Sequence, residues 1–386
     1  MSSPAGRFAA YYFFYFAFVG VFSPYWSLYL QHLSFGALDI AILMSLLQVA
    51  RVVAPAAWGW LADHLGRQSF VVRLAGVAGL ITFLPVFWVD SFAGMFVAML
   101  LIAFFWSASL PLVEAMTLGH LGQETARYGR IRLWGSIGFV ITVLGCGWWL
   151  DHAPIEQLPW LVLLLLVSIA TFAWRLPEAP RHAVHPDAPS LGRVLRQPAV
   201  IALLGACMLM AVAHGPYYTL FSLFLADSGY SRTAIGLFWG VGVVFEIGIF
   251  IVMPGLVARY GFVRILQATF ALGVLRFAII ALAVDQLLPM VFAQSLHAAT
   301  FAAFHASAVA AIHQLFAGPH QAKGQALYTA LCFGVGGTVG GLLGGVLYES
   351  AGGQGAFLMS AVATALGGLL LLPSWRSGSD ASAVAK

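Results

Sequence analysis

Long apolar runs separated by short polar gaps fill almost the whole chain. They recur near residues 8–31, 38–62, 69–89, 92–119, 129–150, 157–175, 198–226, 232–258, 264–284, 287–316, 323–349 and 353–373. Stretches of about 18 to 25 such residues cross ~30 Å of hydrocarbon as helix, so the pattern predicts an all-α membrane protein with twelve transmembrane helices. The widest gap, RLPEAPRHAVHPDAPSLGRVLRQP at 175–198, replaces Leu and Phe with Pro, His and Arg. It divides the chain into an N-terminal six-helix bundle (1–175), a central loop (176–197), a C-terminal six-helix bundle (198–375) and a tail (376–386). The first run, beginning near Phe8, is long and aromatic and lacks a small-residue cleavage site, which predicts a retained first span rather than a signal peptide.

Composition agrees. Of 386 residues, 61% are hydrophobic and 8% charged, and the mean hydropathy is +0.92; a soluble domain needs about a quarter of its residues charged. Cys146, Cys207 and Cys332 stand singly in apolar runs and offer neither a disulfide framework nor a paired-cysteine metal site. With the N-terminus placed in the cytoplasm, fifteen of the eighteen Lys and Arg residues fall on that side. Arg232 falls opposite, and Arg51 and Arg276 lie inside spans. That asymmetry orients the chain with both termini cytoplasmic and accounts for the net charge of +4 without nucleic acid. Laid over one another at an offset of 195, the halves align weakly, Gly261 on Gly66 and Glu246 on Arg51.

Between the second and third runs stands GWLADHLGRQ, residues 59–68. Gly59, Asp63, Gly66 and Arg67 give the spacing GxxxDxxGR, which resembles the signature gating loop of the major facilitator superfamily; the matching second-half loop, GLVARYGFVR, is degenerate. Its physical sense is a tight turn at Gly66 with Asp63 and Arg67 placed to bridge helix ends. Residues 128–138, YGRIRLWGSIG, resemble the GRxRxxGxxG segment of lactose permease and its relatives. In that permease an acid eighteen positions before the second Arg pairs with it at the sugar site; the matching residues here are Glu114 and Arg132. Over its whole length the chain is similar to bacterial 3-phenylpropionate permeases. The resemblance implies a major facilitator fold, two six-helix bundles related by a pseudo-two-fold axis, with spans one, four, seven and ten lining a cavity.

Four charged residues lie well inside spans: Arg51, Glu114, Glu246 and Arg276. Such groups are expensive in hydrocarbon and mark a pathway by default. Glu246 and Arg276 stand fifteen residues either side of the Gly261 turn and so meet at one depth, with His297 within about one turn, ~5 Å, of that level. An acid, a guanidinium and an imidazole at one level resemble the proton-coupling cluster of lactose permease, although the second Glu of that cluster is Thr300 here. A purely structural ion pair is the alternative. His214, His297 and His305 are poorly spaced for a metal, and each reads singly as a hydrogen-bonded packing or cavity residue. If Glu114 takes Arg132 and Glu246 takes Arg276, Arg51 is left for an anionic solute, with Tyr217, Tyr218, Trp239, Phe245 and Phe105 as an apolar sleeve; pairing of Arg51 with Glu246 is the competing arrangement.

The remaining motifs exclude more than they add. No GxxxxGK[ST] occurs, so ATP does not drive the protein, and no GxSxG, HExxH or Asp pair marks an enzyme. The run GVGGTVGGLLGGVLY at 334–348 reads as close helix packing. The fifth span lacks the proline-glycine pattern of drug antiporters. The expected function is a proton-coupled symporter that imports a small organic solute, foremost an aromatic carboxylic acid such as phenylpropionate. Alternatives are a sugar or nucleoside symporter, or an exporter. Arg51, Glu114, Arg132, Tyr217, Tyr218 and Trp239 are the expected substrate contacts, and Glu246, Arg276 and His297 the proton-coupling group. No cofactor beyond the proton gradient, no metal, no nucleic acid and a monomer in the lipid bilayer are expected.

Overall fold

The computed structural model describes residues 3–122, 124, 127–178, 192–316 and 318–374; most of the central loop and the tail at 376–386 lie outside them. The described residues are almost wholly helical. The helices are α1 (Pro4–His32), α2 (Ala37–Leu65), α3 (Gln68–Phe83), α4 (Phe92–Leu121), α5 (Tyr128–Leu150) and α6 (Leu158–Ala173). After a single turn at Gly192–Leu195 come α7 (Pro198–Asp227), α8 (Arg232–Tyr260), α9 (Phe262–Leu282) and α10 (Leu287–Leu315). Residues 321–374 run on as one helical stretch broken at Gly352, whose φ of 66° only glycine adopts at little cost, and this break separates α11 from α12. Eleven helices among the described residues are thus long and apolar enough to cross a membrane, and the last, Lys323–Leu372, contains two of the expected spans.

Helix ends follow local chemistry. Ser3 and Ser91 accept hydrogen bonds from Gly6 and Gly94 N–H and start α1 and α4. Gly66, at φ 62°, stops α2 with its N–H on the Asp63 carbonyl, and Gly261, at φ 74°, makes the corresponding turn before α9. The N-terminus of α3 is capped from a distance: Glu178 accepts from both the backbone N–H and the hydroxyl of Ser69.

The chain forms two compact units, Met1–Val184 with Tyr218–Gly240, and His185–Tyr217 with Val241–Lys386. In the first, α1 lies on α5 with almost nothing between the backbones. A Cβ on Gly20 would stand 2.6 Å from the Phe139 carbonyl oxygen, and one on Gly135 2.7 Å from the Phe16 ring. The end of α7 and the first turns of α8 belong to this unit because they are bonded into it. Asp151, just past α5, accepts from the backbone N–H groups of Arg232 at 2.8 Å and Thr233 at 2.9 Å, while Arg232 Nη1 donates to the Leu150 carbonyl at 3.3 Å. Each helix end receives the charge its dipole favours. Beside them the Tyr25 hydroxyl donates to the Val143 carbonyl at 2.7 Å and reaches the Arg232 carbonyl at 3.3 Å. Gly147 and Gly236 leave room for that meeting: a Cβ on either would come within 2.6 Å of a carbonyl oxygen of the facing helix.

In the second unit the glycine run does what its spacing predicts. Gly336, Gly340 and Gly344 lie against Met208, Val212 and Pro216 of α7, so close that a Cβ on Gly336 would sit 2.8 Å from the Met208 carbonyl and one on Gly340 would collide with that of Val212. A core of Leu203, Cys207, Phe270, Phe304, Ile312 and Tyr328, among others, fills one end of this unit.

Candidate functional site

Each unit carries a set of polar groups inside its spans. In the second unit the set is built on Arg276, whose side chain is fully buried on α9. Its Nη1 donates to Thr300 Oγ1 at 3.0 Å and meets His214 Nε2 at 3.2 Å, and its guanidinium lies 4.3 Å from the centre of the Tyr217 ring. The contacts of His214 fix its hydrogen. The Met210 carbonyl, 2.8 Å from Nδ1, can only accept, and Arg276 can only donate. Nδ1 therefore carries the hydrogen and the bare Nε2 receives the guanidinium. Thr300, at the position where a carboxylate was noted to be missing, takes Arg276 with a neutral oxygen.

Glu246 lies on α8. It pairs with His297 of α10, Oε1 to Nε2, at 2.7 Å, and the side chains are only 14% and 6% exposed. Gly242, one turn before Glu246, makes room for that ring: a Cβ there would stand 3.1 Å from His297 Cδ2. Tyr217 lies along the ring at 5.0 Å on one side and Phe301 at 5.5 Å on the other. Directly beyond His297 the helix widens into a π turn, Ala299–Ala303, which carries Thr300; such turns recur at functional sites. Glu246 and His297 are in contact, and His214, Tyr217 and Thr300 join Arg276 to the group.

In the first unit, Arg51 donates to Gln48 Oε1 at 3.1 Å, one turn back on α2, and no carboxylate pairs with it among the described residues. Glu114 and Arg132 do not form the expected ion pair. Glu114 accepts from the Tyr128 hydroxyl at 3.2 Å, and Arg132 lies 3.7 Å from the centre of the Phe16 ring. Gly135 permits this, since a Cβ there would meet Arg132 Nη1 at 2.7 Å. Nearby, Tyr15 stacks on Trp106 at 4.7 Å, nearly parallel.

The other expected contacts divide. Tyr217 belongs to the Arg276 cluster. Trp239 is buried with its indole N–H on Ser222 Oγ at 3.0 Å, and Tyr218 lies 6.3 Å from it. Phe245 is half exposed, and Phe105 packs on Trp58. In the signature loop Gly66 makes its turn, Gly59 has open space around it, and Asp63 and Arg67 form no ion pair among the described residues. His305 bonds Tyr328 at 3.1 Å as a packing histidine. No group of three metal-ligating side chains occurs among the described residues.

Comparison with known proteins places these features. The chain is 29% identical over 377 residues to a probable 3-phenylpropionic acid transporter of Escherichia coli (strain K12), covering 94% of this chain and 95% of the relative. It is 28% identical over 377 residues to the maltose permease of Geobacillus stearothermophilus, covering 95% and 93%. The fold matches the crystal structure of nucleoside transporter NupG with a TM-score of 0.79 at 18% identity, over 97% of this chain and 100% of that one. The profile of the MFS_1 like family matches residues 6–359. The chain therefore belongs to the MFS_1 like family of major facilitator transporters, multi-pass membrane proteins that move small molecules, need no cofactor and are not enzymes.

Proposed function

We propose that the protein is a proton-coupled importer of a small aromatic carboxylic acid, set in a bacterial inner membrane with both termini in the cytoplasm. The coupling reading rests on one observation, the buried Glu246–His297 pair at 2.7 Å. A carboxylate and an imidazole in contact share one proton and can accept another, whereas Arg276 is already engaged by Thr300 and His214. The solute reading is supported by Arg51, a cation inside a span that, among the described residues, is hydrogen-bonded only to Gln48. A carboxylate satisfies a guanidinium with two charge-assisted bonds, and the Tyr15–Trp106 stack offers an aromatic surface in the same unit. The phenylpropionate relative carries the same chemistry in its name.

A second reading has its own support. Glu114, bonded to a phenol rather than paired with Arg132, keeps acceptor capacity for solute hydroxyls, as a sugar or nucleoside symporter would need.

Uptake of radiolabelled 3-phenylpropionate, maltose and uridine into proteoliposomes with an imposed pH gradient separates the two. Glu246→Gln is expected to abolish uphill accumulation while exchange of pre-loaded solute continues; undiminished accumulation removes the proton role. Arg51→Gln removes a charged hydrogen bond worth roughly 1.5–3 kcal/mol, so KM for the acid rises roughly tenfold or more while that for its amide moves little. Equal shifts for acid and amide remove the anion argument.

A further inference from the structure

Among the polar atoms of α10 buried without a hydrogen-bond partner among the described residues are Gln294 Nε2 and His297 Nδ1. Both side chains are more than nine-tenths buried, at 0% and 4% exposure. They are three residues apart, which puts them on one face of the helix about 5–6 Å from each other at Cβ. The orientation of each is fixed by its other contact. Gln294 Oε1 can only accept, so the Tyr217 phenol donates to it at 3.0 Å. That pins the Gln294 amide and turns its NH₂ away from Tyr217. His297 Nε2 is held by Glu246 at 2.7 Å, which leaves Nδ1 on the opposite side of the ring.

We infer that Gln294 Nε2–H and His297 Nδ1 together form a site for one hydroxylic ligand, a water, and that this water hands the coupling proton to Nδ1. The inference rests on the proton-coupling reading above. A water is the smallest group that can accept from the amide while donating to the bare ring nitrogen. When a hydronium ion reaches this position, one of its O–H bonds breaks as the Nδ1–H bond forms; the ring takes the positive charge and a neutral water remains. That water then accepts from both Nδ1–H and Gln294 N–H, so no bond made by Glu246, Tyr217 or Arg276 has to break while the proton loads. Release runs the same exchange backwards. The charged and titratable groups facing His297 are Glu246 from α8, Arg276 from α9, and His214 and Tyr217 from α7. Gln294 is a positioning residue: it holds the donor and carries no proton itself.

Infrared difference spectra of the full-length protein in liposomes, taken between high and low pH without solute, test this directly. The wild type is expected to show an imidazole protonation band together with an O–H stretch that shifts in heavy-oxygen water. Gln294→Met, close in volume but without a donor, loses the O–H band and slows proton uptake after a pH jump roughly tenfold, the weight of one hydrogen bond. Its melting temperature shows whether the variant is folded, and Gln294→Leu repeats the test with a second apolar side chain. An imidazole band without an isotope-sensitive O–H stretch, or an O–H stretch that survives both variants, overturns the water site and leaves the coupling reading standing. Absence of any imidazole protonation band, with His297→Gln indistinguishable from wild type, removes the coupling reading itself.

Discussion

Asp151→Ala isolates the exchange of charges between the end of α5 and the start of α8. The carboxylate accepts from two backbone N–H groups, of Arg232 and Thr233, that open α8. Loss of a helix N-cap costs about 1 kcal/mol, and the carboxylate's attraction to the helix dipole adds about 0.3–1 kcal/mol. Asp151 is exposed, so solvent screening favours the lower end of the sum, about 1 kcal/mol, or about fivefold in the equilibrium between joined and parted helix ends. Spin labels at Trp148 of α5 and Leu237 of α8, both exposed side chains, report that equilibrium as the fraction of long distances. Asp151→Ala is expected to raise the long-distance fraction about fivefold. Asp151→Asn, which keeps one acceptor oxygen, raises it about twofold, since an uncharged cap retains most of the hydrogen bonding. The pH response has a defined sign. Burial disfavours the charge, but the Thr233 hydroxyl and the two N–H groups outweigh it and hold the carboxyl below its ordinary value. The contact is therefore at full strength above about pH 3.9, the value of a free aspartate, and fades as pH falls from there through the lowered value. Identical distance distributions in wild type and Asp151→Ala at neutral pH would refute the reasoning.

Two further substitutions probe the second unit. Gly340→Ala drives a methyl group into the Val212 carbonyl, a backbone obstacle that cannot rotate away, so a loss of about 1–3 kcal/mol appears as a lower melting temperature in detergent; Gly145→Ala, with nothing within 4 Å of the added carbon, leaves the melt unchanged. Thr300→Val keeps the shape of the side chain but removes the oxygen that accepts from Arg276 at 3.0 Å. It is expected to destabilise by about 1.5–3 kcal/mol, the range for a hydrogen bond to a charged group, and an unchanged melt would show that Arg276 does not depend on Thr300.

The spans are legible in the sequence because hydrocarbon leaves the chain few choices: a backbone with no water to bond must be helical. The Gly66 and Gly261 turns are legible for a related reason, since both require a positive φ, and the 336, 340, 344 glycine spacing marks a packing stripe without naming its partner, which is α7. The partner of Glu246 is not. Counting residues from the Gly261 turn puts Arg276 level with Glu246 and His297 within one turn of it, but it gives depth along the helices and not the direction in which each side chain points, and it is His297 that meets the carboxylate. The same holds for Glu114 and Arg132, which share a depth while one faces Tyr128 and the other Phe16. Asp151 carries no sequence signal, because its partners stand 81 and 82 positions away, beyond the reach of any local pattern.

On the proposed coupling, Thr300 bears on the choice of solute. With a hydroxyl where a second carboxylate is noted in the lactose permease cluster, the group holds one acid, Glu246, against one fixed cation, Arg276. His214 adds no charge, because its hydrogen sits on Nδ1 toward Met210 and its Nε2 receives Arg276. A proton loaded onto the Glu246–His297 pair therefore leaves the group with one positive charge in a medium that penalises uncompensated ions. A second carboxylate there would neutralise that charge within the protein and make the proton indifferent to what else is bound. Without it, the proposed coupling takes its compensation from the cargo. A monovalent carboxylate bound together with the proton leaves the charge of the loaded protein equal to that of the empty one, and this is the same demand that Arg51 makes independently from the first unit. Two separate charge surpluses, one fixed and one created by loading, thus favour an anionic solute over a neutral sugar.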